Sequence, residues 1–135
     1  MAGKVVWHGD KVRAAIQAEV GKRLRLCGQL GVTHAKELVS VDGTARTGGG
    51  SLAYGANPSK PGDPPHVQTG RLRASIAYEV SGLVARIGTN VKYGRYLELG
   101  TSRMLPRPWL RRMLREKSSQ FRAILGSPIR TKGNR

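Results

Sequence analysis

A glycine- and proline-rich stretch divides this chain into two unequal parts. Residues 42–68 hold six glycines and four prolines, and neither an α-helix nor a β-strand continues through such a composition. A connection longer than about 12 to 15 residues without regular structure is usually functional or disordered. The sequence therefore predicts a helical segment before residue 42, an extended loop over 42–68, and a compact unit that begins near residue 69.

Before the loop, apolar residues recur at spacings of three and four, which is the period of an amphipathic helix. Asp10 is the predicted N-cap, and the helix is expected over residues 11–40. Glycines within it indicate either a kink near 28–31 or a place where another backbone comes close. The apolar stripe consists of Val12, Ile16, Val20, Leu24, Cys27, Leu30, His34 and Leu38.

After the loop, start and stop signals follow one another with almost no spare residues. Thr69 is the expected N-cap of a short helical turn. Alternating apolar residues over 76–80 and 83–87 predict two strands joined by a tight turn at residues 81–82. A lone hairpin is only marginally stable in water, so its apolar face must pack on helices or join strands from elsewhere.

A short aromatic helix is predicted next. Tyr93, Tyr96 and Leu97 fall at i, i+3 and i+4, and Gly100 at i+7 ends the helix. Glu98 lies on a different side of this helix. It is either an ordinary surface carboxylate or a partner for Arg95, Arg103 or an arginine on a neighbouring copy.

The last predicted helix follows Pro106 and Pro108, which are suited to positions just before a helix and in its first turn. Its apolar stripe is expected to contain Leu110, Leu114, Phe121 and Leu125, flanked by Met113 and Ile124. Its other face is basic, and such a face is either solvated or in contact with a polyanion or an acidic partner. The candidate contact residues are Arg103, Arg107, Arg111, Arg112, Arg115 and Arg122.

These elements predict a single α+β domain over residues 1–135. It comprises a long N-terminal amphipathic helix, the long Gly/Pro-rich loop, and an α+β unit over 69–126 with a small β-hairpin or sheet, the short aromatic helix and the C-terminal basic helix. A basic tail follows over 127–135. With 24 Lys and Arg against 8 Asp and Glu, the net charge is +16, which attracts polyanions.

The sequence offers no recognisable catalytic or ligand-binding constellation. Cys27 is the single cysteine, so no intramolecular disulfide forms, and a reducing compartment is expected. The run at residues 48–51 lacks the Gly-Lys-Ser/Thr of a phosphate loop and is interpreted as linker. His34 is interpreted as a core or half-buried histidine. No catalytic, metal or cofactor residue is predicted, and neither a signal peptide nor a membrane span is recognised.

Four motifs, in their order and spacing, resemble the neck or minor tail-component family of long-tailed bacteriophages, also described as tail-completion or head–tail connection proteins. They are a Thr-Gly-x-Leu-x-x-Ser turn, a Gly-Thr hairpin end, a Tyr-Gly/Ala-x-Tyr-x-Glu-x-Gly-Thr segment and a Pro-x-Pro-aromatic-Leu helix start. The residues are Thr69, Gly70, Leu72 and Ser75; Gly88 and Thr89; Tyr93, Gly94, Tyr96, Glu98, Gly100 and Thr101; and Pro106, Pro108, Trp109 and Leu110. The resemblance covers about residues 60–114.

The resemblance implies a structural virion protein, made in the host cytoplasm, without catalysis or cofactor. It would form or decorate a homo-oligomeric ring, six-fold or twelve-fold, at the head–tail junction. Its partners would be head-side connector proteins and the tail terminator or tail tube, with non-specific contact to genomic DNA and no membrane. Expected interface residues are Thr69, Gly70, Leu72, Tyr93, Tyr96, Glu98, Gly100, Thr101, Pro108 and Trp109.

Two other classes of function remain open from the residues alone. A stand-alone basic nucleic-acid-binding protein is motivated by the net charge and the arginine-rich last helix, although no helix-turn-helix, zinc-finger or aromatic RNA-binding signature is present. An enzyme, such as a virion-associated hydrolase, is the least favoured class because no pattern unites a nucleophile, a base and an acid.

Overall fold

The computed structural model describes residues 3–41, 59–67 and 69–129. The elements in chain order are α1 (Gly9–Leu38), α2 (Arg71–Ser75), β1 (Ile76–Ser81), β2 (Val84–Thr89), α3 (Lys92–Leu99) and α4 (Leu110–Gly126). The predicted α+β class is confirmed. The glycine run at 48–51, most of the predicted loop and the end of the basic tail lie outside the described residues, so those predictions stay as they are.

Helix α1 begins two residues earlier than predicted. Its N-cap is His8, which makes no side-chain capping bond, so the prediction of Asp10 as N-cap is wrong. Asp10 lies in the first turn instead, where a carboxylate is stabilised by the positive end of the helix dipole. The helix runs as one element to Leu38, and a break near residues 28–31 does not occur.

The glycines of α1 admit side chains rather than another backbone. A Cβ atom added to Gly28 would overlap the ring of Tyr78, and one added to Gly31 would lie 3.4 Å from the sulfur of Met113 and closer still to Ile87. The two glycines therefore allow the hairpin and α4 to pack closely against α1. This close packing offsets the low helix propensity of glycine.

Strands β1 and β2 form a two-stranded antiparallel sheet. The register runs from Ile76 opposite Thr89 to Ser81 opposite Val84, which leaves Gly82 and Leu83 as the turn. The predicted turn at residues 81–82 is thus one residue too early. Gly82 takes a positive φ of 57°, which a two-residue hairpin turn requires and glycine adopts readily. The sheet packs against α1, as a lone hairpin needs.

The core lies where α1, α2, β1 and α4 meet. Its buried hydrophobic members are Ala35, Val39, Leu72, Ile76, Trp109 and Met113. Met113 is fully buried, whereas Leu114 and Leu125, which were predicted on the apolar stripe of α4, are exposed. The buried line of α4 is centred on Met113 because Trp109 enters the core one turn before it.

Arg23 joins α1 to the end of α4. Its guanidinium donates to the carbonyl oxygens of Leu125 (3.3 Å), Ser127 and Pro128 (3.1 Å), and its Nε donates to Glu19 (3.3 Å). The last carbonyls of a helix have no partner within the helix, and here a buried arginine supplies one. Because His34 contacts Glu116 earlier in α4, the two helices run antiparallel.

Two glycine substitutions test whether the hairpin and α4 pack closely against the glycines of α1. Gly28→Ala should lower the free energy of unfolding by about 1 to 3 kcal/mol, because the new methyl group displaces Tyr78. Gly21→Ala should raise it by about 0.5 to 1 kcal/mol, since only a flexible Arg25 side chain approaches that position. Urea unfolding measures the change in the free energy of unfolding for each variant, and equal stabilisation by both would contradict the packing described.

Candidate functional site

The carboxylate of Glu98 caps the N-terminus of α4. Its Oε2 accepts the backbone N–H groups of Trp109 and Leu110, both at 2.8 Å, and its Oε1 accepts the N–H of Arg111 at 3.0 Å. Glu98 is buried. The first N–H groups of a helix have no internal partner, and a carboxylate there also meets the positive end of the helix dipole.

The sequence interpretations of Glu98 as a surface carboxylate or as an arginine partner missed this role. Arg111 Nε lies 3.5 Å from Oε1, so an ion pair is present, but the three backbone donors come first in number and in distance. The sequence contains one signal for this role. Trp109, the N-cap of α4, has no side-chain acceptor, and a carboxylate lies eleven residues before it.

The connection between α3 and α4 is held by backbone bonds. Gly100, with φ of 76°, ends α3, and a Cβ atom there would come within 2.9 Å of the carbonyl oxygen of Met104. Thr101 N donates to that oxygen at 2.8 Å, and Arg107 N donates to Leu97 O at 2.7 Å. The connection is therefore a fixed strap rather than a free loop.

Trp109 closes the same unit from the core side. It is 2% exposed, and its indole Nε1 donates to the carbonyl oxygen of Gly94 at 3.3 Å. A Cβ atom at Gly94 would lie 2.6 Å from the methyl of Thr89 and 3.0 Å from Leu72, so a larger residue would force these side chains to shift. α2, α3 and the start of α4 are thus held together within the chain by one set of residues, which we call the joint: Leu72, Gly94, Glu98 and Trp109.

The predicted interface residues divide into two groups by exposure. Leu72, Glu98 and Trp109 are buried within this chain, and Gly70, Gly100 and Pro108 are half-buried; Thr69, Tyr93, Tyr96 and Thr101 are exposed. Thr69 is not the N-cap of α2; that position is Gly70, with φ of 71°, and Thr69 Oγ1 accepts from Arg71 N at 3.4 Å. The exposed group alone is available to a partner.

The outer side of α3 exposes two tyrosines and a leucine beside two basic residues. The predicted short helix is present, and its buried side carries Gly94 and Glu98, with Leu97 half-buried against the core. Tyr93, Tyr96 and Leu99 are exposed, with Tyr96 at 54%. These three residues, the α3 face, lie on the side of the helix opposite the joint. Tyrosine is enriched in protein–protein interfaces.

Most carboxylates in the described residues already have a partner. Glu19 and Asp63 pair with arginines, Glu37 and Glu116 contact His34, and Glu98 caps α4. Of the six candidate arginines, Arg111 and Arg112 pair with carboxylates; Arg103, Arg115 and Arg122 are exposed and form no salt bridge within the described ranges; Arg107 is half-buried. The excess positive charge is therefore not balanced within the described residues and attracts polyanions or acidic partners.

His34 and Glu116 form a second link between α1 and α4. His34 Nε2 lies 2.6 Å from Glu116 Oε2, and Nδ1 lies 3.2 Å from Glu37 Oε2. Arg112 Nε donates to the other oxygen of Glu116 at 2.9 Å. The hydrogen bond from His34, and after it that from Arg112, lowers the pKa of the Glu116 carboxyl below its ordinary value. The predicted half-buried histidine is confirmed.

Two further features bear on chemistry and location. An open cleft of about 380 Å³ is lined by Glu37, Leu38, Val41, Asp63, Pro64, His66 and Arg112, and its charged groups at Asp63 and Arg112 pair with each other. Among residues 3–41, 59–67 and 69–129, no group of His, Cys, Asp and Glu is arranged to hold a metal ion. Within the same ranges, no helix has the length and apolar character needed to cross a bilayer.

A family described as "Bacteriophage HK97-gp10, putative tail-component" matches residues 6–100, well over half of the chain. The chain belongs to this family of phage tail components. The resemblance predicted from the motifs is confirmed. The match includes α1, which the motif comparison had left out, and it ends at Gly100, before the start of α4. No curated protein and no solved structure matches this tail component.

The cap is testable in this tail component by a single substitution. Glu98→Ala leaves three backbone donors without an acceptor and should lower the free energy of unfolding by about 3 kcal/mol. Glu98→Gln keeps one acceptor oxygen and should cost less. Glu79→Ala, at an exposed position of β1, is the matched control and should change stability by about 0.5 kcal/mol or less. Equal effects at positions 98 and 79 would contradict the capping role.

The lowered pKa of Glu116 predicts the sign of a pH effect. The unfolded state binds the proton first as pH falls, so the contribution of Glu116 is complete above its ordinary pKa and is lost as pH falls through the lower folded value. Glu116→Gln removes this contribution. Between about pH 6 and pH 3, the midpoint temperature of thermal unfolding should therefore fall less steeply for the variant than for the unsubstituted protein. Parallel curves would contradict the link.

Proposed function

We propose that this tail component is a structural virion protein that forms or decorates an oligomeric ring at the head–tail junction. Its partners there are copies of itself, head-side connector proteins and the tail terminator or tail tube. Family membership supports the phage virion. The observation that carries the proposal is the α3 face: one side of α3 is used entirely by the joint, and the other leaves two tyrosines and a leucine exposed.

A ring subunit must hold its contact surface rigid before it meets a neighbour, because ordering a loose surface on binding costs free energy. The joint supplies that rigidity. Glu98 holds α3 to α4, and Trp109 holds the start of α4 to the start of α3. The α3 face is therefore presented on a helix whose position is fixed by the core rather than on a flexible loop.

The basic surface suits a second contact within the same junction. Arg103, Arg115 and Arg122 are exposed and form no salt bridge within the described ranges, so they can meet backbone phosphate of DNA that passes through the ring. The same observation supports the second candidate, a stand-alone nucleic-acid-binding protein. The two candidates differ in whether particles need the protein to join heads to tails.

Removal of the protein from the phage tests the junction. A phage that lacks the gene should accumulate separate filled heads and tails, and supplying the unsubstituted chain from a plasmid should restore intact particles. A chain with Tyr96→Asp should fail to restore them, because the charge stands in the middle of the α3 face. Glu79→Ala is the control. Particles that assemble normally without the protein would contradict the proposal.

The salt dependence of DNA binding tests the basic surface. For duplex DNA, the slope of log affinity against log salt should become shallower by about 2 when Arg115 and Arg122 are both replaced by Gln. Arg86→Gln is the matched control, since Arg86 lies opposite Glu79 in the hairpin. An unchanged slope would contradict phosphate contact at α4, and tight binding by a chain that particles do not need would favour the second candidate.

A further inference from the structure

The N-terminal half of α1 extends beyond the rest of the described structure. Arg23 is the first buried residue of α1, and it contacts the segment that follows the end of α4. Residues 10–18 are all exposed. At 1.5 Å per residue, the stretch from residue 9 to residue 22 is about 21 Å long. We call residues 9–20 the projecting half of α1.

The apolar stripe of α1 continues onto the projecting half. Within the body of the protein, this side of the helix is covered by the hairpin and α4 at Cys27 and Ala35. Toward the N-terminus, Val12 and Ile16 continue the stripe but are exposed. One helix thus carries one stripe, and its own chain covers only part of it. An exposed, contiguous apolar surface of this kind marks an interaction site.

The residues before the helix enlarge this surface. Val5 and Trp7 are 92% and 83% exposed. Tryptophan is among the residues that contribute most binding energy when an interface covers them. The helix and the preceding segment therefore present apolar groups over more than one turn.

The charge of the projecting half points to a protein partner rather than to nucleic acid. Residues 9–20 carry Asp10 and Glu19 against Lys11 and Arg13, so their charges cancel, while the whole chain has a net charge of +16. A surface that binds phosphate is basic. A helix that lies on an anionic membrane has a polar face rich in Lys and Arg, whereas the side opposite the stripe carries Ala14 and Ala18.

The α3 face has the complementary properties. It is apolar and exposed, and its surroundings are basic: Lys92 and Arg95 lie on α3 itself, and Arg103 follows in the strap. Within the described ranges, Arg95 and Arg103 form no salt bridge. Because the charges of the projecting half cancel, it can approach this basic surface without like-charge repulsion, and its stripe can cover the tyrosines.

We infer that the projecting half of α1 of one copy docks on the α3 face of the next copy of this chain. The contact joins two different surfaces, so it repeats from copy to copy and can close into a ring. The inference rests on the proposed ring and names the surfaces that build it. A stripe-to-stripe contact would instead be symmetric and would yield dimers.

Cross-linking between two variants that each carry one added cysteine distinguishes these arrangements. Ile16→Cys and Tyr96→Cys, carried by chains with different tags, are mixed and oxidised, and a disulfide-linked pair with both tags is expected. The unsubstituted chain is the background control, since burial raises the pKa of the Cys27 thiol and keeps it unreactive. Cross-linking of Ile16→Cys with itself and not with Tyr96→Cys would overturn the inference in favour of the symmetric contact.

Assembly measured by native mass spectrometry separates this inference from the ring itself. Ile16→Asp should weaken self-association by about tenfold or more, because it places a charge in the stripe. Ala18→Asp, exposed on the opposite side of the same helix, should leave it unchanged. Rings that persist with Ile16→Asp and give no mixed cross-link would overturn the docking and leave the ring intact. A chain that is monomeric without any substitution would overturn both.

Discussion

The described structure depends on one buried carboxylate. Glu98 accepts three backbone N–H groups at the start of α4 and so fixes where that helix begins and which of its sides enters the core. Trp109 and Met113 are then placed inward, and the basic residues of α4 are placed outward. A small core tolerates little error in such a position, because folded domains are stable by only about 5 to 15 kcal/mol.

A consequence of this joint is that each helix has a used and an unused side. α3 uses its glycine and glutamate inward and leaves its tyrosines outward. α1 uses Gly28 and Gly31 to seat the hairpin and α4, and leaves its first three turns uncovered by any described element. Both unused sides expose large apolar side chains, which a monomer in water has no reason to maintain. They are the physical basis for the proposal that this tail component forms a repeating assembly.

The periodic features of the fold could be predicted from the sequence. The long helix, the hairpin, the helix ended by Gly100 and the last helix were all predicted, because each shows in local spacing and in stop residues. What could not be predicted is which side of a short helix faces inward. In α3, Glu98 was interpreted as a surface carboxylate or an arginine partner, yet it is buried, since its partners are three backbone groups at least eleven residues away.

The same limit applied to α4 and to the caps. Leu114 and Leu125 matched an apolar period, but the position of Trp109 shifted the buried line to Met113, and that position was decided by a long-range bond. Asp10 and Thr69 have the chemistry of N-caps, but the helices begin beside them rather than at them.

A reconstruction of the neck of intact particles by electron cryomicroscopy tests most directly whether copies of this chain join through α1 and α3. We expect a ring of this chain in which α1 of each copy crosses to α3 of the next; a single copy at the junction, or this chain located elsewhere in the particle, would rule this arrangement out.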